Sequence, residues 1–120
     1  MESPKYEPSS ATAPQIERRR YERYPAQVQI EIHEIGRAMP LRMETTDLSR
    51  GGCYVQLVTT LAIGAHIDTT LWIGGAPIRI RGLVVTRHPQ FGNGIMFLDF
   101  KGDGKELLDR YLDAMVEQRS

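Results

Sequence analysis

From residue 26 onward, apolar and polar positions alternate with a period of two in one short run after another. Val28, Ile30 and Ile32 are separated by Gln27, Gln29, Glu31 and His33, the pattern of a strand with one face buried and the other in water. Pro25 biases Tyr24 toward extended geometry and marks the strand entry. Residues 41–46 repeat the pattern, with Leu41, Met43 and Thr45 on one face and Arg42, Glu44 and Thr46 on the other. Cys53, Val55 and Leu57 then alternate with Tyr54 and Gln56. Ile67, Thr69, Leu71 and Ile73 form a fourth run that stops at Gly74-Gly75, a pair suited to the positive φ angles of a tight hairpin turn. The returning strand carries Ile78, Ile80, Gly82 and Val84 on one side and Arg79 and Arg81 on the other; a last strand, 94–100, follows the turn-like Phe91-Gly92-Asn93. Six short strands with turn signals between them predict a mainly β fold, an antiparallel sheet closed or nearly closed into a small barrel, which also removes exposed edges.

The period then changes. Asp103 is placed to N-cap a helix, with Glu106 at the third helical position. Leu107, Tyr111 and Met115 recur every fourth residue, with Leu108, Leu112 and Val116 beside them, so residues 103–118 are expected to form a C-terminal α-helix with an apolar stripe. That stripe needs a partner, either the barrel, as plug or lid, or another protein. Residues 1–16 hold Pro4, Pro8 and Pro14 among small polar residues and too little apolar surface to offset ordering entropy; they read as a flexible tail. The remainder, 17–118, divides into a polar arginine loop (17–25), the barrel (26–100) and the helix.

At 120 residues there is room for one domain. The formal charge is zero, which argues against a polybasic nucleic-acid coat and makes any anion site local. Cys53 is the only cysteine, leaving neither an intrachain disulfide nor a Cys-rich metal cage and suiting a reducing cytoplasm. No apolar run has the length of an export signal's core or a membrane-spanning helix, so a cytoplasmic protein without membrane insertion is expected.

Two polar segments carry the candidate chemistry. Glu17-Arg18-Arg19-Arg20-Tyr21-Glu22-Arg23 precedes the first strand, and Asp47-Leu48-Ser49-Arg50-Gly51-Gly52 joins the second to the third. Arg19 and Arg23 would lie roughly 13 Å apart in an extended chain and converge only in a folded loop. Guanidinium forks bond the O6/N7 edge of guanine, clamp phosphates and stack on bases; Arg18 and Arg20 thicken the cluster while Glu17 and Glu22 partly neutralise it. Asp47 and Ser49, two apart on an extended strand end, would face one ligand, the carboxylate accepting from guanine N–H groups. Gly51 and Gly52 permit positive φ and close backbone approach. Taken alone, the first segment is also what a solvated basic strand entry looks like, and the second an ordinary hydrogen-bonded turn.

In combination these residues resemble the PilZ family of bacterial receptors for the second messenger cyclic di-GMP. The family's RxxxR signature stands here as Arg19-Arg20-Tyr21-Glu22-Arg23 and its [D/N]xSxxG signature as Asp47 through Gly52, both complete and in the family's order. The resemblance covers about residues 17–116. It implies a six-stranded PilZ-type split β-barrel with a terminal helix, with Arg19 and Arg23 gripping guanines and phosphates and Asp47, Ser49 and Gly52 forming the opposing wall. Arg18 would stack on a second ligand molecule and favour a stacked cyclic di-GMP pair.

The resulting expectation is a receptor that binds cyclic di-GMP without transforming it, changes conformation and signals to a downstream protein, as a monomer or a ligand-dependent dimer. The alternative is a PilZ-like adaptor that binds protein and no nucleotide. Neither a cofactor nor DNA or RNA binding is expected. His33, His66 and His88 are scattered without ligand spacing, so no metal site is expected, and Ser49 lacks a nucleophile elbow or an assignable base, so no catalytic residue is named. Arg79, Arg81 and Arg87 read as outward strand residues, Trp72 as lying on the outer barrel face, and Cys53 as a small core hydrophobe.

Overall fold

The computed structural model describes residues 22–119, so the expected tail and most of the arginine loop, including Arg18, Arg19 and Arg20, lie outside the described residues. Seven strands are formed, β1 (Tyr24–Pro25), β2 (Gln29–Glu34), β3 (Leu41–Leu48), β4 (Gly52–Gln56), β5 (His66–Ile73), β6 (Ala76–His88) and β7 (Gly92–Phe100), followed by helix α1 (Gly104–Arg119). All pairings are antiparallel, in the order β1-β3-β2-β5-β6-β7-β4, and a further β3–β4 pairing closes six of the strands into a barrel. The extra strand, β1, lies along the end of β3, with Tyr24 opposite Leu48 and Pro25 opposite Asp47. Strand β3 is thus shared, its first half pairing with β2 and its second half with β4 and β1.

One side chain makes that sharing possible. Between β1 and β2 the chain leaves the ladder, and Thr45 fills the break: its hydroxyl accepts from the Val28 N–H at 3.1 Å and donates to the Ala26 carbonyl at 2.6 Å. Thr45 is fully buried, so both backbone groups would otherwise be stranded away from water.

The expected alternation is realised in the interior. Ile30, Ile32, Val55, Ile67, Leu71, Ile78, Ile80 and Val84 are almost completely buried, each contributing about 1.5–3 kcal/mol by leaving water. Gly74 and Gly75 adopt φ of 60° and 83° at the β5–β6 hairpin, as their sequence predicts. The next hairpin differs from expectation. Strand β6 runs on to His88 across a register shift between Val84 and Thr86, and the bend falls at Pro89-Gln90-Phe91, with Gln90 at φ 69°. Gly92 and Asn93 belong to β7. Gly92 lies under the Tyr54 ring, where a Cβ would come within 2.2 Å of the Val55 carbonyl oxygen, so close approach and not turn geometry requires a glycine there. Asn93 is wholly buried and ties down the β4–β5 loop, accepting from the Leu61 N–H at 2.7 Å and donating to the Leu61 carbonyl at 3.0 Å.

Helix α1 begins where the capping signal falls, and the Asp103 carbonyl accepts from the Leu107 N–H at 3.1 Å. Its most buried line is Gly104, Leu108 and Leu112; Leu107, Tyr111 and Met115 flank it half-buried, and Val116 is exposed. The stripe is therefore rotated one residue from the 107/111/115 line. Leu108 and Leu112 join the core of the barrel, so the chain covers this face of its helix itself. Trp72 points outward, 45% exposed.

Candidate functional site

Strand parity alone would bury Asp47. Leu41, Met43 and Thr45 share the inward face of β3, and the next residue in that series is 47. A β-bulge between Thr45 and Asp47 inserts Thr46 and reverses the parity, so that Asp47 lies opposite half-buried Tyr54 while Leu48 turns inward opposite Cys53. The carboxylate emerges at the rim beside β1.

Arg23, immediately before β1, meets it there. Its Nη1 lies 3.9 Å from Asp47 Oδ2, and the guanidinium is largely exposed. The other carboxylate oxygen, Oδ1, is buried without a hydrogen-bond partner among the described residues. An anionic acceptor shielded from water and lacking a donor is costly to keep, and an incoming N–H group would relieve it. Asp47 also acts inward: burial first, then its charge, pushes the Cys53 thiol up, so this buried cysteine is held neutral.

The following turn is built by Ser49. Its Oγ accepts from the N–H groups of Gly51 and Gly52, both at 3.1 Å, and its own N–H donates to the Gly52 carbonyl at 2.8 Å. The hydroxyl is thus committed to the turn, and it does not stand beside the Asp47 carboxylate as extended geometry predicts. Gly51 and Gly52 do not use the positive φ that glycine permits. Gly52 is needed for space, since a Cβ there would lie 2.2 Å from the Ile95 carbonyl oxygen. The turn is also stitched to β7, the Phe97 N–H donating to the Gly51 carbonyl at 2.8 Å.

Arg50, at the corner of this turn, reaches helix α1. It pairs with Asp109 at 2.8 Å and with Asp113, and hydrogen bonding to Asp113 and then Asp109 pushes its guanidinium pKa above the ordinary value. The spacing of Asp109 and Asp113, one helical turn apart, is visible in the sequence; that Arg50 faces them is not, because the pairing spans 63 positions. Of the expected residues, Arg23 and Asp47 meet at this rim and Ser49, Gly51 and Gly52 form the turn that follows, while Arg18, Arg19 and Arg20 lie outside the described residues. A separate groove of about 260 Å³ on β2, β3 and β5, lined by Gln29, Ile30, Glu31, Arg42 and Trp72, shares none of them. The described residues contain no group of three or more His, Cys, Asp or Glu that would hold a metal, and no helix long and apolar enough to cross a membrane.

Comparison with known proteins agrees with the fold. The family model of the PilZ domain matches residues 17–114. Among solved structures, the fold is similar to that of the Bacillus subtilis inhibitor of motility MotI/DgrA, with 16% identity and a TM-score of 0.65 over 83% of this chain and 52% of that one. The chain thus spans about half the length of that protein. It is also similar to the PilZ domain of CeSA from a cellulose-synthesizing bacterium, with 18% identity and a TM-score of 0.60 over 78% of this chain and 97% of that one. At such identities the likeness is one of fold. Among curated proteins none matches.

Proposed function

This chain belongs to the PilZ domain family, whose members are regulatory binding domains, and from that premise we propose that it is a receptor for cyclic di-GMP that signals to a downstream protein. The observation that carries the reading is the meeting of Arg23 with Asp47 at one rim, 3.9 Å apart, although 24 positions separate them. Around them stands what a doubly negative guanine nucleotide requires. Arg23 offers a largely exposed planar fork to phosphate or base, and the Asp47 carboxylate, whose Oδ1 has no donor among the described residues, is an acceptor suited to guanine N1–H and N2–H₂ once the ligand reaches it. Arg19, four residues before Arg23, supplies the second fork of the family signature, with Arg18 and Arg20 beside it. The ligand would draw the arginine segment onto the rim and so reshape the surface that a partner reads.

Each charge-assisted hydrogen bond contributes on the order of 1.5–3 kcal/mol, so loss of one arginine weakens affinity by roughly ten- to a hundredfold. Isothermal calorimetry with cyclic di-GMP on the wild type and on Arg19→Ala, Arg23→Ala and Asp47→Ala measures this. Binding by the wild type with loss in all three supports the site. Undiminished affinity in all three removes it, and an adaptor that ignores nucleotide gives no heat at all.

A further inference from the structure

We propose that Arg50 is a latch between the ligand site and helix α1, and that cyclic di-GMP opens it by drawing the guanidinium off Asp109 and Asp113. This inference rests on the receptor reading above. Arg50 sits within the Asp47 to Gly52 segment, at the corner of a turn whose backbone is fixed at both ends: Ser49 N–H bonds the Gly52 carbonyl, and Gly51 accepts from β7. With the backbone held, the side chain is the part free to change partners. It is 32% exposed and divided between two carboxylates of α1.

A phosphodiester held by Arg23 beside Asp47 would reach the turn from which this side chain springs, in the same Asp47 to Gly52 segment, and would compete for the same fork with a geometry guanidinium groups favour. The consequence for α1 follows from its charges. Asp109 and Asp113 are one turn apart, and like charges at that spacing repel. Arg50 now neutralises both; once it leaves, Lys105, 3.4 Å from Asp109, is the remaining ion-pair partner among the described residues. Asp113 and Glu117 also stand toward the C-terminal end of the helix, where negative charge opposes the helix dipole. Ligand binding therefore loosens α1 on the side facing the turn and uncovers a surface that the free protein keeps closed.

The test combines calorimetry with amide hydrogen exchange on residues 105–119, with and without cyclic di-GMP, in the wild type and in Asp109→Asn/Asp113→Asn. In the wild type, ligand should raise exchange in α1 several-fold. In the double variant the competing carboxylates are gone, so the ligand should bind about three- to tenfold more tightly, as expected for two partly exposed ion pairs. Helix exchange there should already be raised and should not respond further to ligand. Asp113→Asn alone, at a 65% exposed side chain, should give an intermediate result and serves if the double variant does not fold. Heat in the wild type with unchanged helix exchange, or with no gain in affinity in the variants, overturns the latch and leaves the receptor reading standing. Absence of heat in the wild type removes both.

Discussion

At the scale of single residues, the side chains that matter most do so through the backbone groups they satisfy or the space they leave. Thr45→Val keeps the volume and removes the hydroxyl, stranding the Val28 N–H and the Ala26 carbonyl in a buried break of the ladder. Destabilisation of about 1–3 kcal/mol is expected, read as a lower urea midpoint with unchanged m. Cys53 gives a second outcome. Burial keeps its thiol protonated, so it should resist a thiol reagent at pH 8 in the folded protein and react once the chain is unfolded in guanidinium. Rapid modification without unfolding would contradict the buried placement. Residue types and spacing revealed the candidate carboxylate and arginines, yet not how Asp47 reaches the surface. That depends on Thr46 forming a bulge, and nothing in Glu44-Thr45-Thr46-Asp47 distinguishes a bulged strand from a regular one. Ser49 was equally ambiguous, because a hydroxyl two residues from a carboxylate serves a ligand on a strand and its own backbone in a turn.

At the scale of elements, the period-two runs and the Gly74-Gly75 turn suffice to recover the six barrel strands, and the switch to a four-residue period after Asp103 recovers the terminal helix. Two-residue β1 was beyond reach, since Tyr24-Pro25 has no length over which a period shows and its pairing with β3 is a tertiary event. The turn before β7 was misplaced because Gly92 signals a bend by type while its actual demand is close packing under Tyr54. The sequence marks the apolar stripe but not its centre, because 107/111/115 and 108/112 are both apolar and docking on β6 decides which line is buried most deeply. That docking predicts a ranking: Leu108→Ala and Leu112→Ala should each cost about 2–5 kcal/mol, and Val116→Ala well under 1 kcal/mol, in chemical denaturation. Equal effects at 108 and 116 would mean that the helix does not sit on the barrel as described.

At the scale of the whole molecule, closure of the ring through the β3–β4 pairing joins both flanks of the Asp47 to Gly52 segment to one continuous ladder. A ligand held there stabilises the native domain as a unit. At a hundredfold excess over its dissociation constant it should add about 2.7 kcal/mol, which for a domain of this size raises the midpoint of thermal unfolding by roughly 10–20 °C in a melt with and without cyclic di-GMP. No shift under saturating ligand would contradict specific binding to the folded state. Strand β1, which Arg23 precedes, is fastened differently, by two register pairs on β3 and by the bonds of Ala26 to the Thr46 carbonyl and the Thr45 hydroxyl, outside the closed ring. The proposed recognition surface would in this sense be modular: Asp47 is cast into the scaffold, whereas Arg23 enters from outside the closed ring. Arg23→Gln, at a 60% exposed side chain, should weaken binding of the anion while the melting behaviour of the protein alone stays nearly constant.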